Sequence, residues 1–131
     1  MIRVTDRPLC PGEVQESLKT DESGSVVMHS GVVRASSDEG RDVAGIEYEA
    51  DFCAAEEELS RIAADIAARW QVQDVALCRR MGRLRPGDVI LVTAASAAHR
   101  REAFEACQHA VERLKAMKSV VKREVWQANR S

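Results

Sequence analysis

Cations at the ends of elements are the residues of this chain with the most to offer chemically. Arg34 follows a run of β-branched residues, and His99 and Arg100 open a helical stretch whose last turn holds Lys115. Lys122 lies in the strand that comes next, and Arg130 stands beside the final residue, Ser131. A lysine in a last turn has an ordinary explanation, because the partial negative charge at a helix C-terminus attracts cations. His99 and Arg100 lack one. Two potential cations in a first turn oppose the dipole at up to about 1 kcal/mol, unless an anion is held there by the free N–H groups and the arginine fork together. Phosphate or carboxylate binding is one reading, and a neutral His99 beside a surface Arg100 is the other. His99 and Lys115 are 16 residues apart. That spacing is about 24 Å along a helix axis, too far for both to touch one small molecule. Either a second copy of the chain completes a shared site, or these are two separate patches.

Other chemistries are set aside by what the sequence lacks. It has no GxSxG elbow, no GxxxxGK[ST] phosphate cradle, no GxGxxG and no HExxH, and His29, His99 and His109 have no ligand spacing, which argues against the common metal and nucleotide enzymes. His109, inside the helical stretch, reads as a solvated or core-edge residue. Cys10, Cys53, Cys78 and Cys107 are separated by 43, 25 and 29 positions, which fits neither a CxxC knuckle nor a disulfide framework. They are expected to be free and mostly buried thiols. Net charge is −2, yet residues 1–78 hold 7 basic against 16 acidic side chains and residues 79–131 hold 12 against 5. The asymmetry suits an anionic partner of the second half, or two halves that neutralise each other where they pack. A slightly negative total with 4% aromatics makes nucleic acid a poor partner.

The elements that must position these cations follow from residue patterning. A length of 131 residues leaves room for one domain, residues 1–131, whose core can form without disulfides or a structural metal. No apolar run approaches the roughly 18 residues that cross a bilayer, and the start of the chain carries charges where a signal peptide is apolar, so a cytoplasmic protein is expected. Strands are predicted at 2–5, 26–33 (with Gly31 marking a bulge or a close approach), 43–50, 72–78, 89–94 and 120–126. Helices are predicted at 11–18, opened by Pro11; at 54–70, with Leu59, Ile62, Ala63, Ile66 and Trp70 on one face; and from a Ser96 cap to about Met117, striped by Ala103, Cys107, Ala110, Val111 and Leu114. Arg85-Pro86-Gly87-Asp88 is a type II turn, and residues 35–42 form a polar loop expected to be mobile without a ligand. Strand pairs joined by short turns argue for an α+β fold, a mainly antiparallel sheet with helices on one face.

Five ordered blocks then carry a family resemblance. Gly31-Val32-Val33-Arg34, the strand Gly45 to Ala50, Arg80-Met81-Gly82 through Arg85-Pro86-Gly87-Asp88, Ser96 to Arg100 with Ala103-Phe104-Glu105-Ala106, and Leu114-Lys115 with Lys122-Arg123-Glu124 make up the set. From about Val26 to Trp126 the chain resembles the large, catalytic subunit of molybdopterin synthase. The resemblance implies an α/β hammerhead-type fold, with two main helices packed on the sheet. It also implies a homodimer at the core of a heterotetramer, with a small ubiquitin-like sulfur-carrier subunit docked at each end. The carrier's C-terminal Gly-Gly thiocarboxylate would enter a pocket and donate sulfur to cyclic pyranopterin monophosphate, two transfers giving the dithiolene of molybdopterin in molybdenum cofactor biosynthesis. By position, Lys115 and Lys122 look like the catalytic lysines, and Arg34, His99 and Arg100 look like substrate-pocket residues. Arg130, four residues after Trp126, looks like a further pocket arginine from the partner chain. No metal or cofactor is implied for the transfer itself. This chain departs from the family pattern at His29, where an aromatic is usual, at Asp51-Phe52-Cys53-Ala54, and in a shorter stretch before Trp126. The alternative is a non-catalytic paralogue of the same fold, a module that binds an anion or a pterin or acts as a scaffold.

Overall fold

The structure, a computed structural model, describes residues 1–36, 40 and 42–126. Along them run β1 (Ile2–Thr5), α1 (Pro11–Leu18), β2 (Ser25–Val32), β3 (Val43–Ala50), α2 (Phe52–Arg69), β4 (Asp74–Arg80), β5 (Gly82–Leu84), β6 (Val89–Ala97), α3 (Arg100–Lys115) and β7 (Val120–Trp126). The strands form two sheets, β1-β4-β6-β2 and β5-β3-β7, in which only β1 and β4 pair in parallel. The α+β class and the mainly antiparallel pairing are as the sequence predicts.

Side-chain alternation along the central strands explains the layers, since successive residues of a strand face opposite ways. Ala76, Cys78, Val92 and Ala94 pack with Val14 and Leu18 of α1, whereas Leu77, Leu91 and Ala95 face Leu59, Ile62, Ile66 and Leu114 of α2 and α3. Helices therefore cover both faces of the larger sheet. The expectation of one covered face is corrected: both faces of β4 and β6 are apolar, so neither can be left in water. Each fully buried Leu or Ile contributes about 1.5–3 kcal/mol, which makes the α2 stripe the main anchor of this layer.

Several boundaries also move. Helix α2 starts at Phe52 rather than Ala54, because Asp51 Oδ1 accepts the Ala54 N–H at 3.0 Å and caps the first turn. Ser96 is no cap. It is fully buried inside β6, opposite Val26 and Asp74, and the two antiparallel ladders carry the strand past the local helix signal to Ala97. The N-cap of α3 is His99, which makes no side-chain cap bond. Strand β5 is three residues long, too short to stand out in the sequence. Its partner β3 comes close enough that a Cβ on Gly45 would strike the Leu84 carbonyl oxygen.

The type II turn is present, with Gly87 at φ 93° and Asp88 N–H donating to the Arg85 carbonyl at 3.0 Å. All four thiols are free, but Cys10 and Cys53 are exposed and only Cys78 and Cys107 are buried, so half of the burial expectation is corrected. His109 sits at the core edge, its Nε2 2.8 Å from Asp65 Oδ2 and its ring tilted at 54° against Trp70, 5.1 Å between centroids. No described helix is long and apolar enough to cross a membrane. Ser36 and Asp42 form an isolated antiparallel bridge across the base of the polar loop. Residues 37–39 and 41 of that loop, and Arg130, lie outside the described residues.

Candidate functional site

Three of the cations singled out in the sequence open onto one cavity of about 580 Å³ between the two sheets: Arg34, Lys115 and Lys122. Each is placed by a different device. The register between β2 and β6 shifts at Gly31 and Val32, a bulge that turns the end of β2. Buried Val33 is then tied down, its N–H donating to the Asp88 carbonyl at 3.0 Å and its own carbonyl accepting the Gly87 N–H at 2.9 Å. Arg34 leaves from that fixed point.

Lys115 is the last residue of α3, exposed on the turn between buried Leu114 and Met117. The Leu114 carbonyl, one of the acceptors a helix end leaves unpaired, takes the Arg79 Nη1 donor at 2.6 Å. Beyond it the chain turns toward β7 on a carboxylate anchor. Glu58 of α2 accepts the backbone N–H groups of Lys118 and Ser119 at 2.9 and 3.0 Å and the Ser119 hydroxyl at 2.5 Å. Burial works against the ionised form of Glu58, but the Ser119 hydroxyl and amide, the Lys118 amide and nearby Arg61 outweigh it and hold the carboxyl below its ordinary value.

Lys122 pairs across the ladder with Tyr48, and Glu124 with Ile46, so these four side chains share the face of the smaller sheet that closes the cavity. Lys122 Nζ lies 3.8 Å from Glu124 Oε1. Val121 and Arg123 point the other way, where Arg123 pairs with Glu47.

Of the remaining candidate residues, Arg130 lies outside the described residues. His99 and Arg100 stand exposed at the opposite end of α3, outside this cavity within one chain, as the length of the helix requires. Sequence reasoning missed Arg79, Tyr48 and Glu124. Arg79 is only 4% exposed, its guanidinium lies 4.8 Å over the Tyr48 ring, and its Nε has no hydrogen-bond partner among the described residues. Burial pulls its pKa below the ordinary arginine value and pushes the Tyr48 hydroxyl above its own. A signal was available. Arg79 stands two residues after Leu77 in β4 and shares its inward face, where a cation needs a reason. Among the described residues the cavity thus carries four cations, Arg34, Arg79, Lys115 and Lys122, against one carboxylate, Glu124. Such a site suits an anionic guest whose charge is spread over several oxygens.

A mixed α+β fold with a cationic cavity between its sheets defines an anion-handling protein, and comparison with known proteins makes the class specific. The family model described as MoaE protein matches residues 4–117. A molybdopterin synthase catalytic subunit from Nostoc sp. is 37% identical over 125 residues, covering 95% of this chain and 75% of that protein. A second, from Bacillus subtilis, is 31% identical over 124 residues, covering 95% and 78%. The crystal structure of molybdopterin synthase from Staphylococcus aureus superposes with a TM-score of 0.90 at 28% identity, over 98% of this chain and 93% of that one. The chain belongs to the MoaE family, the molybdopterin synthase catalytic subunits, enzymes of a sulfur-transfer step in molybdenum cofactor biosynthesis.

Proposed function

We propose that this chain, acting as a single cytoplasmic domain, transfers sulfur from the C-terminal thiocarboxylate of a small ubiquitin-like carrier to cyclic pyranopterin monophosphate. The observation that carries the reading is the convergence of Arg34, Lys115 and Lys122, from three separate segments, on one cavity. Two anions must meet there. A thiocarboxylate needs its charge guided in, and the opening cyclic phosphate needs cations as charge develops on oxygen, which fixed side chains in a partly dry cavity supply without reorganising. Lys115 and Lys122 are the catalytic lysines of this reading, and Arg34 binds substrate. His99 and Arg100 reach the same pocket from a second copy, because one helix cannot bring its two ends together, and Arg130, which lies outside the described residues, is assigned to substrate binding with them by the family resemblance alone. The working unit is therefore a homodimer at the centre of a heterotetramer.

The test is reconstitution. Wild-type chain mixed with thiocarboxylated carrier and the cyclic pterin forms molybdopterin, and Lys115→Ala slows formation by at least about a hundredfold, the scale set by loss of a positioned proton-transfer or charge-stabilising group. Equal rates for the two proteins would overturn the catalytic assignment.

A further inference from the structure

We infer that Arg79 is a substrate-binding residue of this cavity, a buried cation at its floor that receives the anionic group of the guest. The inference rests on the sulfur-transfer reading for the identity of that guest, but the anion site itself stands on geometry.

Arg79 arrives on the inward face of β4, in a layer otherwise made of Leu77, Leu91 and Ala95. Its guanidinium is held in place on two sides. Nη1 donates to the Leu114 carbonyl at 2.6 Å, and the plane lies over the Tyr48 ring. Neither partner neutralises it: one is a helix-end dipole and the other an aromatic face. No carboxylate lies within ion-pairing distance of Arg79 among the described residues. Its Nε is buried and has no hydrogen-bond partner among the described residues, a state that protein interiors avoid unless something else supplies one.

Charges around the group point the same way. Arg34, Lys115 and Lys122 line the same cavity. Glu124, the one carboxylate on its wall among the described residues, lies with Oε1 3.8 Å from Lys122 Nζ. Glu58 acts on Arg79 only at a distance, its oxygens being taken by Lys118 and Ser119. A planar fork fixed by its neighbours and short of an acceptor is preorganised for an oxyanion. Two such groups belong to the reaction, the phosphate of the pterin and the terminal carboxylate or thiocarboxylate of the carrier.

The test uses the whole folded chain and reads binding rather than turnover. The ¹⁵N–¹H signal of Arg79 Nε, assigned by its disappearance in Arg79→Lys, is followed while inorganic phosphate is titrated and, separately, while carrier protein with an ordinary C-terminal carboxylate is added. A saturable shift with phosphate assigns the site to the pterin's phosphate, and one with carrier alone assigns it to the carrier terminus. Calorimetry of Arg79→Met and Arg79→Gln, with melting temperature as a folding control, is expected to show affinity for the same probe lowered about tenfold, and Arg79→Lys to restore most of it, as befits loss and return of one charge-assisted contact. An Arg79 signal that neither probe moves overturns the inference in the wild-type chain, whether or not the uncharged variants fold. So do folded uncharged variants that bind as wild type does. Failure of the sulfur-transfer reading looks different: phosphate still shifts Arg79, but no molybdopterin forms.

Discussion

Individual side chains in this protein take their reactivity from where the backbone leaves them. Burial raises the pKa of the Cys78 and Cys107 thiols, and for Cys107 it outweighs the hydrogen bond with Thr93, while Cys10 and Cys53 stand in solvent. A thiolate is the reacting form, so the two buried groups are inert twice over, by access and by protonation. Native protein treated with a thiol reagent at neutral pH should therefore label quickly at Cys10 and Cys53, with Cys78 and Cys107 following only when the chain is unfolded. Mass spectrometry of the labelled peptides checks this, and early labelling of Cys107 would show that the α3 layer opens. Lys122 teaches the same lesson from the other direction. It occupies an inward position between Val120 and Trp126, where strand alternation alone predicts an apolar residue, and the cavity it faces is what makes a cation tolerable there.

At the scale of elements, the connection between α3 and β7 sets the relation between the two lysines, and α2 holds it through Glu58. Three hydrogen bonds reach that one carboxylate, so Glu58→Ala is expected to destabilise the protein by about 1–2 kcal/mol, the order of a lost hydrogen bond to a partly exposed charged group. Amide exchange at residues 118 and 119 should quicken, and activity should fall with Lys115 and Lys122 both intact. The pH dependence has a definite sign. The folded-state pKa of Glu58 lies below its ordinary value of 4.5, so its contribution is complete above that value and is lost as the pH falls through the folded pKa. Thermal melts of wild type and Glu58→Gln should thus converge as the pH drops below about 4.5 and separate above it. Curves that stay equally far apart down to pH 3 would remove the anchor from the account.

For the whole molecule, the decisive matter is that His99 and Lys115 mark opposite ends of α3 while only Lys115 reaches the cavity of its own chain. If the active unit joins two copies, a Lys115→Ala chain and an Arg100→Ala chain, each nearly inactive alone, should complement when mixed and allowed to exchange. Half of the dimers would then be mixed and each would hold one intact site, giving about a quarter of wild-type activity. A mixture no more active than its parents would mean that both residues serve one chain, or that Arg100 serves none.

The amino-acid sequence by itself determined the order of the elements apart from β5, the two main helices, the bulge at Gly31, the turn at Arg85 to Asp88 and the family, because periodicity, caps and turn residues act over a few neighbours at a time. It also named Arg34, Lys115 and Lys122. Only the tertiary structure decided that the strands divide into two sheets, that α1 covers the face opposite α2 and α3, and that Ser96 continues a strand instead of opening a helix. Arg79 belongs to the same category. Its neighbours along the chain are ordinary, and what sets it apart is a helix end 35 residues away and a ring from the other sheet. Such facts come from ladder pairing and packing between distant segments, whose energies no local pattern of residues encodes.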